Sequence, residues 1–594
     1  MLSPSKPSAA TARPSTFEIP SALRALVRAR ESSILFLGAA IGVLAGLTVA
    51  AMSGIVTLMH SALFSIPLDQ RLSATSLLDP WRAFAVPLAG GVIFGLGLLA
   101  LARWRPAREV DPIEANALHG GRMSLTGSLI VAAQTIWSSG VGASVGLEAG
   151  YTQLASGCAS WIGRQFRLRR RDLRVLVGCG AAAAIAGAFG APLAGAFYAF
   201  ELVIGSYSVA SLAPVGIAAL FGYLVANLLA PARIGFEMPF VMQVSGHDVA
   251  IAAVVGLAAA AVGIGLMRAV SVCEELLVRL SVKPAWRPAI GGAIVGGLAI
   301  VTPQVLSSGH GAIHMAGMLQ SSWQAILLLF LLKSLASVVS LGTGFRGGLF
   351  FASLLLGALG GRLLAEAINF VVPSLALDPH IYAIIGMGAL SVSVIGGPLT
   401  MTFIALESTG DLWLTTAVLI AVIISAQVTR ETFGYSFATW RFHLRGETIR
   451  SAADVGWIRE LNVRRMMRAD VRTVPAHTTI SRFRMVFPLG STTQVVAINE
   501  DKSYAGIVLV AEAHAPEYDE QKKVSEILHT RDTVLLPAMT VKEAVAMFDH
   551  AEAEALAVVE ARDKRSVIGL LTEAHALRRY SDELELRRRE LTGE

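Results

Sequence analysis

Cysteine is almost absent from this chain of 594 residues, which has only Cys158, Cys179 and Cys273. They are scattered through apolar sequence without metal-ligand spacing. That excludes a disulfide framework or a zinc module and leaves them as small packing residues in a reducing setting. Charge is scarce too. Asp, Glu, Lys and Arg make up 15% of the chain against 54% hydrophobic residues, and mean hydropathy is +0.60, too apolar for an ordinary soluble protein. The first twenty residues hold no apolar core and no convincing cleavage pattern, so residues 1–30 are expected to form a disordered tail rather than a signal peptide. Basic residues flank apolar runs and no nucleic-acid reading head accompanies them, so the net charge of +6 reads as topological and nucleic acid is excluded as a partner.

What the chain has in abundance is apolar runs sized to cross hydrocarbon, beginning with 33–59 and continuing near 83–102, 122–139, 176–204, 212–230, 249–267, 289–302, 325–341, 347–371, 381–406 and 414–429. Several are short or broken by Gly and Pro, which predicts more helices than clean spans. Arg24, Arg28 and Arg30 precede the first run. Arg164, Arg167, Arg169, Arg170, Arg171 and Arg174 crowd a later loop. By the positive-inside tendency both stretches are expected on the cytoplasmic side of a cell membrane, with both termini cytoplasmic.

The apolar region repeats itself. GAPLAGAFYAFE, Gly190 to Glu201, returns as GGPLTMTFIALE, Gly396 to Glu407, with Gly-x-Pro-Leu and the closing carboxylate at identical spacing. Such an echo predicts an all-α polytopic membrane protein of two inverted-topology repeats with broken helices and a solute site between them, as in transporters and channels.

Acidic residues inside apolar helices cost about 2.5–3.5 kcal/mol each on insertion scales, so each asks for a reason. Glu201 and Glu407 close the two repeat copies, where a carboxylate caps a neighbouring helix, pairs with an arginine or faces the cytoplasm. Glu148, in GASVGLEAGYTQ, stands at a Gly-rich helix start where backbone N–H groups and the helix dipole favour an anion, so it can imitate a bound anion and leave when protonated. Its counterpart in the second half is GTGFRGGLFFAS, in which Gly348-Leu349-Phe350 aligns with Gly146-Leu147-Glu148. The glycines Gly342, Gly344 and Gly347 match a dinucleotide fingerprint in form only, because a long apolar helix precedes them where a strand is required. Lys333, alone in an apolar stretch, is expected to snorkel or to be paired.

Near residue 450 the composition changes, and a charged, soluble region follows. It also repeats. VPAHTTISRFRMVF (474–487) and LPAMTVKEAVAMFD (536–549) share Pro-Ala-x-Thr before a helical stretch, and each is followed by two strand-like runs: 495–498 and 506–510, then 555–560 and 567–572.

Taken together, these segments resemble the CLC family of chloride channels and chloride/proton antiporters, over about residues 30–446, with a C-terminal region similar to a tandem pair of CBS modules. AFGAPLAGAFYAFE and VIGGPLTMTFIALE carry the resemblance most specifically. Against the family's Gly-Arg-Glu-Gly-Pro the chain has Gly146, Leu147, Glu148, Ala149 and Gly150; against Gly-x-Phe-x-Pro it has Gly348, Leu349, Phe350, Phe351 and Ala352. The resemblance implies a homodimer with one anion path per subunit, Glu148 as the gate, and Gly146, Leu147, Gly348, Leu349 and Phe350 as the anion-binding framework. It places Glu109 where the family has a serine ligand and Ala438 where it has a tyrosine ligand, with Tyr435 one turn away as a substitute. The antiporters' internal proton-transfer glutamate is Leu202 here, which leaves Glu201 as the neighbouring carboxylate for a proton path.

The implied order is a tail over 1–30, a membrane domain over 31–446, a linker over 447–462, CBS modules over 463–525 and 526–580, and a charged tail over 581–594. An adenine nucleotide is the ligand that CBS modules imply, but His575 stands where their Gly-x-x-Thr-x-x-Asp motif has its Asp, and the first module lacks the motif. The reading is therefore a non-enzymatic anion conductor without a cofactor, gated through Glu148, with a chloride/proton antiporter as the alternative. A divalent-cation transporter would want a cluster of carboxylates within the spans, and Glu148, Glu201 and Glu407 are too sparse for one. An intramembrane hydrolase built on Ser307, Ser308, His310 and His314 lacks a nucleophile-elbow context.

Overall fold

A computed structural model describes residues 32–440 and 461–582, apart from 76, 105–108, 231–243, 310–321, 435, 437–439, 562 and 580. The chain divides into two compact units, 1–454 and 455–594.

The first unit is helical throughout its described residues. In chain order its helices are α1 (Ser32–Phe64), α2 (Pro80–Trp104), α3 (Pro112–Leu118), α4 (Leu125–Gly140), α5 (Glu148–Gln165), α6 (Arg170–Phe189), α7 (Pro192–Tyr198), α8 (Val209–Leu229), α9 (Gly246–Arg279) and α10 (Arg287–Val301). Then come α11 (Trp323–Gly342), α12 (Phe350–Val371), α13 (Pro379–Ile395), α14 (Pro398–Thr409) and α15 (Leu412–Thr432). Among the described residues, α1, α2, α6, α8, α9, α11, α12 and α15 are long and apolar enough to cross a membrane, while α10, α13 and the α7 segment are apolar but shorter.

Helix α6 lies at the centre of its half. Its sequence GCGAAAAIAGAF carries almost no side-chain bulk, so α1, α5, α7 and α8 pack directly onto its backbone, and from Leu176 to Phe189 every residue is buried. The same close approach joins α1 to α8, where a Cβ on Gly42 or Gly46 would press on the carbonyls of Ala218 and Gly222.

The two repeat copies are joined by an exchange of carboxylates. Helices α7 and α14 both begin with Pro at their first position, which has no N–H to satisfy, so the next two amides are the ones left without a helical partner. In α7 these are Leu193 and Ala194, and both donate to Glu407, at 2.8 and 2.9 Å. In α14 they are Leu399 and Thr400, and both donate to Glu201, at 2.9 Å each, with the Thr400 hydroxyl adding a third bond at 2.6 Å. Each copy's closing glutamate therefore caps the other copy's first turn, the relation that a two-fold axis between the copies produces. Phe197 and Phe403 stack beside this joint with ring centroids 4.5 Å apart.

Lys333 departs from the sequence expectation of snorkelling. It is fully buried in α11, and its ammonium donates to the carbonyls of Val305 (3.0 Å) and Ser307 (2.7 Å). Among the described residues it has no carboxylate partner; backbone oxygens of an irregular turn do that work.

The second unit contains α16 (Val463–Met466), β1 (Thr473–Pro475), α17 (Ile480–Val486), β2 (Gln494–Ile498), β3 (Tyr504–Leu509), α18 (Val510–Ala513), α19 (Val541–Ala551), β4 (Ala555–Val559) and β5 (Val567–Thr572). β1 runs parallel to β2, β2 antiparallel to β3, and β4 antiparallel to β5. One core gathers Ile480, Phe483, Val495 and Val508. Another gathers Val541, Phe548, Leu556 and Val558 together with Leu461, Val463 and Met466, so the start of the unit packs into its second half. Val496, Tyr504 and Ile507 meet Ala557 and Val559 in a third cluster that fuses the two halves.

Removing a cap should loosen the membrane unit. Glu407→Ala leaves two amide donors in a site poor in water, and each of Glu407→Ala and Glu201→Ala is expected to destabilise the protein by about 1–3 kcal/mol. Thermal unfolding of the purified protein in detergent measures this; midpoints equal to wild type would mean that the exchanged caps do not hold the copies together.

Candidate functional site

The glycine-rich segments that follow α4 and α11 meet as a short antiparallel bridge. Gly146 N donates to Gly348 O (2.9 Å) and Gly348 N to Gly146 O (3.1 Å). Side chains of the preceding helices fix this crossing: Ser144 N donates to Ser340 Oγ (2.9 Å), Ser144 Oγ meets Ser337 Oγ (3.0 Å), and Arg346 N donates to Ser138 Oγ (3.0 Å). Immediately after the bridge, α5 and α12 begin. Their N-cap residues, Leu147 and Leu349, carry no side chain able to cap, so both helices present open N-termini to the crossing.

Glu148, the first residue of α5, fills this place. It is 4% exposed, and its Oε1 accepts from Phe351 N at 3.4 Å, a long bond from the first turn of the other half's helix. Its Oε2 is buried and, among the described residues, has no hydrogen-bond partner. A Cβ on Gly146 would collide with both carboxylate oxygens, and one on Gly348 would sit 2.9 Å from Oε2. Glycine at these positions is therefore a condition for the carboxylate to fit. Phe189, at the end of α6, packs on both Phe350 and Phe351, with ring centroids 4.4 and 4.3 Å away, and Tyr198 lies 6.2 Å from Phe350.

Glu148 lies on the wall of a cavity of about 290 Å³ that also takes in Ser53, His60, Arg71, Tyr151 and Ser307. Tyr151, one turn beyond Glu148, shares a 2.5 Å hydrogen bond with Ser53 of α1, and His60 Nε2 lies 2.9 Å from Ser139 O. A second cavity, of about 550 Å³, is lined by Glu201, Leu202, Tyr207, Ser393 and Arg430. The first cavity touches Ala226 and Ala230 at the end of α8, and the second touches Gly205 and Tyr207 just before its start. A helix of 21 residues separates them, about 30 Å, so the cavities open at opposite ends of a membrane-length element.

The structure brings together Gly146, Leu147, Glu148, Gly348, Leu349 and Phe350, and adds Phe351, whose amide is the one that reaches the carboxylate. Glu201 lies apart as a helix cap and cavity wall. Glu109 lies against Gly127 in the first turn of α4, and the neighbouring Asp111 caps α3 by accepting from Glu114 N at 2.8 Å. Tyr435 and Ala438 fall outside the described residues, as do His310 and His314. Glu148, Glu201 and Glu407 do not converge, and among the described residues no group of three or more His, Cys, Asp or Glu side chains is placed to share a metal ion. Of the residues that sequence reasoning missed, Tyr151 was within reach, because its spacing puts it on the Glu148 face of α5. Ser53, His60 and Arg71 come from remote sequence and carried no signal.

The steric argument gives a test. Gly146→Ala should push the Glu148 side chain from its place and make anion flux in liposomes higher and less dependent on pH. Flux unchanged from wild type would mean that the carboxylate does not obstruct the path.

The profile of the voltage gated chloride channel family matches residues 90–430. A protein of Ralstonia nicotianae named as a ClcB-like chloride channel protein is 35% identical over 349 residues, spanning 57% of this chain and 81% of that one. Among solved structures, a slow cyanobacterial chloride/proton antiporter superposes with a TM-score of 0.61 at 19% identity, covering 69% of this chain and 97% of that one. A eukaryotic CLC transporter gives 0.59 at 18% identity and covers 93% of this chain and 98% of that one, so the likeness of fold extends beyond the membrane unit. An α-helical membrane unit whose two halves meet at a buried glutamate, together with the match over 90–430 and the 35% identity, identifies the chain as a member of the voltage-gated CLC chloride channel and transporter family.

Proposed function

We propose that the chain passes chloride or a similar monovalent anion across a cell membrane, through a path gated by Glu148 and without obligatory exchange of protons. The observation that carries this reading is the state of the Glu148 carboxylate. It is buried between two open helix N-termini, yet it has one long hydrogen bond and an oxygen with none. A charge so weakly held in a low-dielectric site is easily released, either by protonation or by an anion that competes for the same amides. Gly146, Leu147, Gly348, Leu349 and Phe350 form the anion-binding framework through their backbone, and Glu109, Tyr435 and Ala438 are carried only as the pore-lining positions that the family resemblance implies.

Two features favour conduction over antiport. Leu202 cannot carry a proton, and the adjacent Glu201 is engaged with three donors at the joint between repeats. Chloride/proton antiport is the second reading, with Glu201 on the proton path, and Glu201 does line the second cavity. The first cavity touches Gly187 and Ala188 at the far end of α6 from its arginine-rich start, so in this reading it opens outward, with the termini in the cytoplasm. The protein acts as a homodimer with one path per subunit, and its soluble unit is a CBS pair that serves as a dimerising or regulatory lid. The incomplete motif around Thr572 and His575 weighs against an adenine nucleotide there.

Chloride efflux from liposomes, with proton movement recorded together and the membrane potential clamped, tests the reading. Chloride flux without uphill proton movement is expected; proton uptake driven by chloride would establish antiport instead. Wild-type flux should rise as the pH falls, by at most about tenfold per unit, as expected for one titrating group. Glu148→Gln should abolish that dependence and hold flux at the high level. A pH profile identical to wild type in Glu148→Gln would remove Glu148 from the gate.

A further inference from the structure

The face of the membrane unit opposite the Glu148 cavity carries an arrangement of arginines that anion conduction does not use. Arg122 stands in the turn between α3 and α4, Arg164 in the last turn of α5, Arg167 and Arg169 in the following loop, and Arg171 in the first turn of α6. Among the described residues none of these five side chains makes a hydrogen bond or an ion pair. An arginine at a helix C-terminus is favoured by the dipole, which accounts for Arg164 alone. It does not account for Arg122. The turn that holds Arg122 is pinned to α5 on both sides by the buried Ser160, whose Oγ accepts from Met123 N at 2.8 Å and donates to Gly121 O at 2.7 Å. Arg164 follows Ser160 by one helical turn on the same face. The two guanidinium groups are thus held close enough for their charges to act on each other.

We propose that this surface binds the phosphate headgroup of an anionic phospholipid, with Arg122 and Arg164 as the two arms of the clamp. Paired guanidinium groups offer parallel N–H donors that match the oxygens of a phosphodiester, and an anion between them removes their mutual repulsion. Position selects lipid over soluble phosphate. Arg170 opens a span of 20 residues, so the cluster lies at headgroup depth. Trp161, three residues before Arg164 on the same side of α5 and 39% exposed, places an indole where interfacial tryptophans sit. A soluble phosphate has no use for that indole, and a lipid covers it.

The test titrates the full-length purified protein in detergent with phosphatidylglycerol, phosphatidylcholine or inorganic phosphate and follows thermal unfolding. Phosphatidylglycerol should raise the midpoint at concentrations about tenfold lower than phosphatidylcholine, as expected for two arginines at a headgroup. Arg122→Gln with Arg164→Gln should erase that preference while leaving the lipid-free midpoint in place. Arg122→Gln alone, in an exposed turn, should weaken the preference and decides the matter if the double variant does not fold. A preference that survives in Arg122→Gln would overturn the proposal. So would an equal shift with inorganic phosphate, which would make this a site for a soluble anion.

Discussion

A helix that starts inside a bilayer leaves amide donors with no water to meet them, and the architecture of this membrane unit follows from how those donors are satisfied. Four helices matter. In α7 and α14 a proline removes one donor and a glutamate from the other repeat accepts the next two, permanently and reciprocally. In α5 and α12 the N-caps are leucines, and among the described residues the first turn of α12 meets the Glu148 carboxylate through one 3.4 Å bond from Phe351 N. The same residue type therefore does two opposite jobs. Glu201 and Glu407 are fastened by at least two bonds each and belong to the scaffold. Glu148 is loosely held between two open helix N-termini, which is what the proposed gate requires.

Small residues make the arrangement buildable. The bare backbone of α6 lets its neighbours close around it, and the glycines at 146 and 348 let two loops from opposite halves hydrogen-bond directly while leaving room for a carboxylate. A side chain at either glycine would fill the space that Glu148 needs. The place of the Glu148 carboxylate is thus defined by atoms that are missing from the sequence.

Much of this was legible in the sequence because it rests on local spacing. The Gly-x-Pro-Leu repeats, the glycine-rich helix starts and the apolar runs all lie within windows of twenty residues or so, and the strands over 494–498, 504–509, 555–559 and 567–572 stand close to the short apolar runs that follow each Pro-Ala-x-Thr copy. That Glu201 and Glu407 cap a neighbouring helix was among the roles the sequence allowed, but which helix each one caps was not legible. Their partners lie some two hundred residues away, and nothing at 193 or 399 advertises a need for a carboxylate beyond the proline before it. For Lys333 the sequence left snorkelling or pairing open, and the structure gives it backbone partners, the carbonyls of Val305 and Ser307, which no side-chain pattern could have named. Helix α9 runs on to Arg279, well past the apolar stretch, because Arg268, Glu274, Glu275 and Arg279 prolong it beyond the hydrocarbon.

The exchanged caps also bear on mechanism. A proton carrier must be able to lose its hydrogen bonds and rebind them within each cycle. Glu201 accepts from two amides and a hydroxyl at the very joint that fastens one repeat to the other. With leucine at 202, coupling through this region would require the scaffold to loosen at each turnover, whereas anion passage past Glu148 leaves the joint intact. The loosely held carboxylate and the fastened ones stand at different helix starts, and the proposed anion path calls on the first alone.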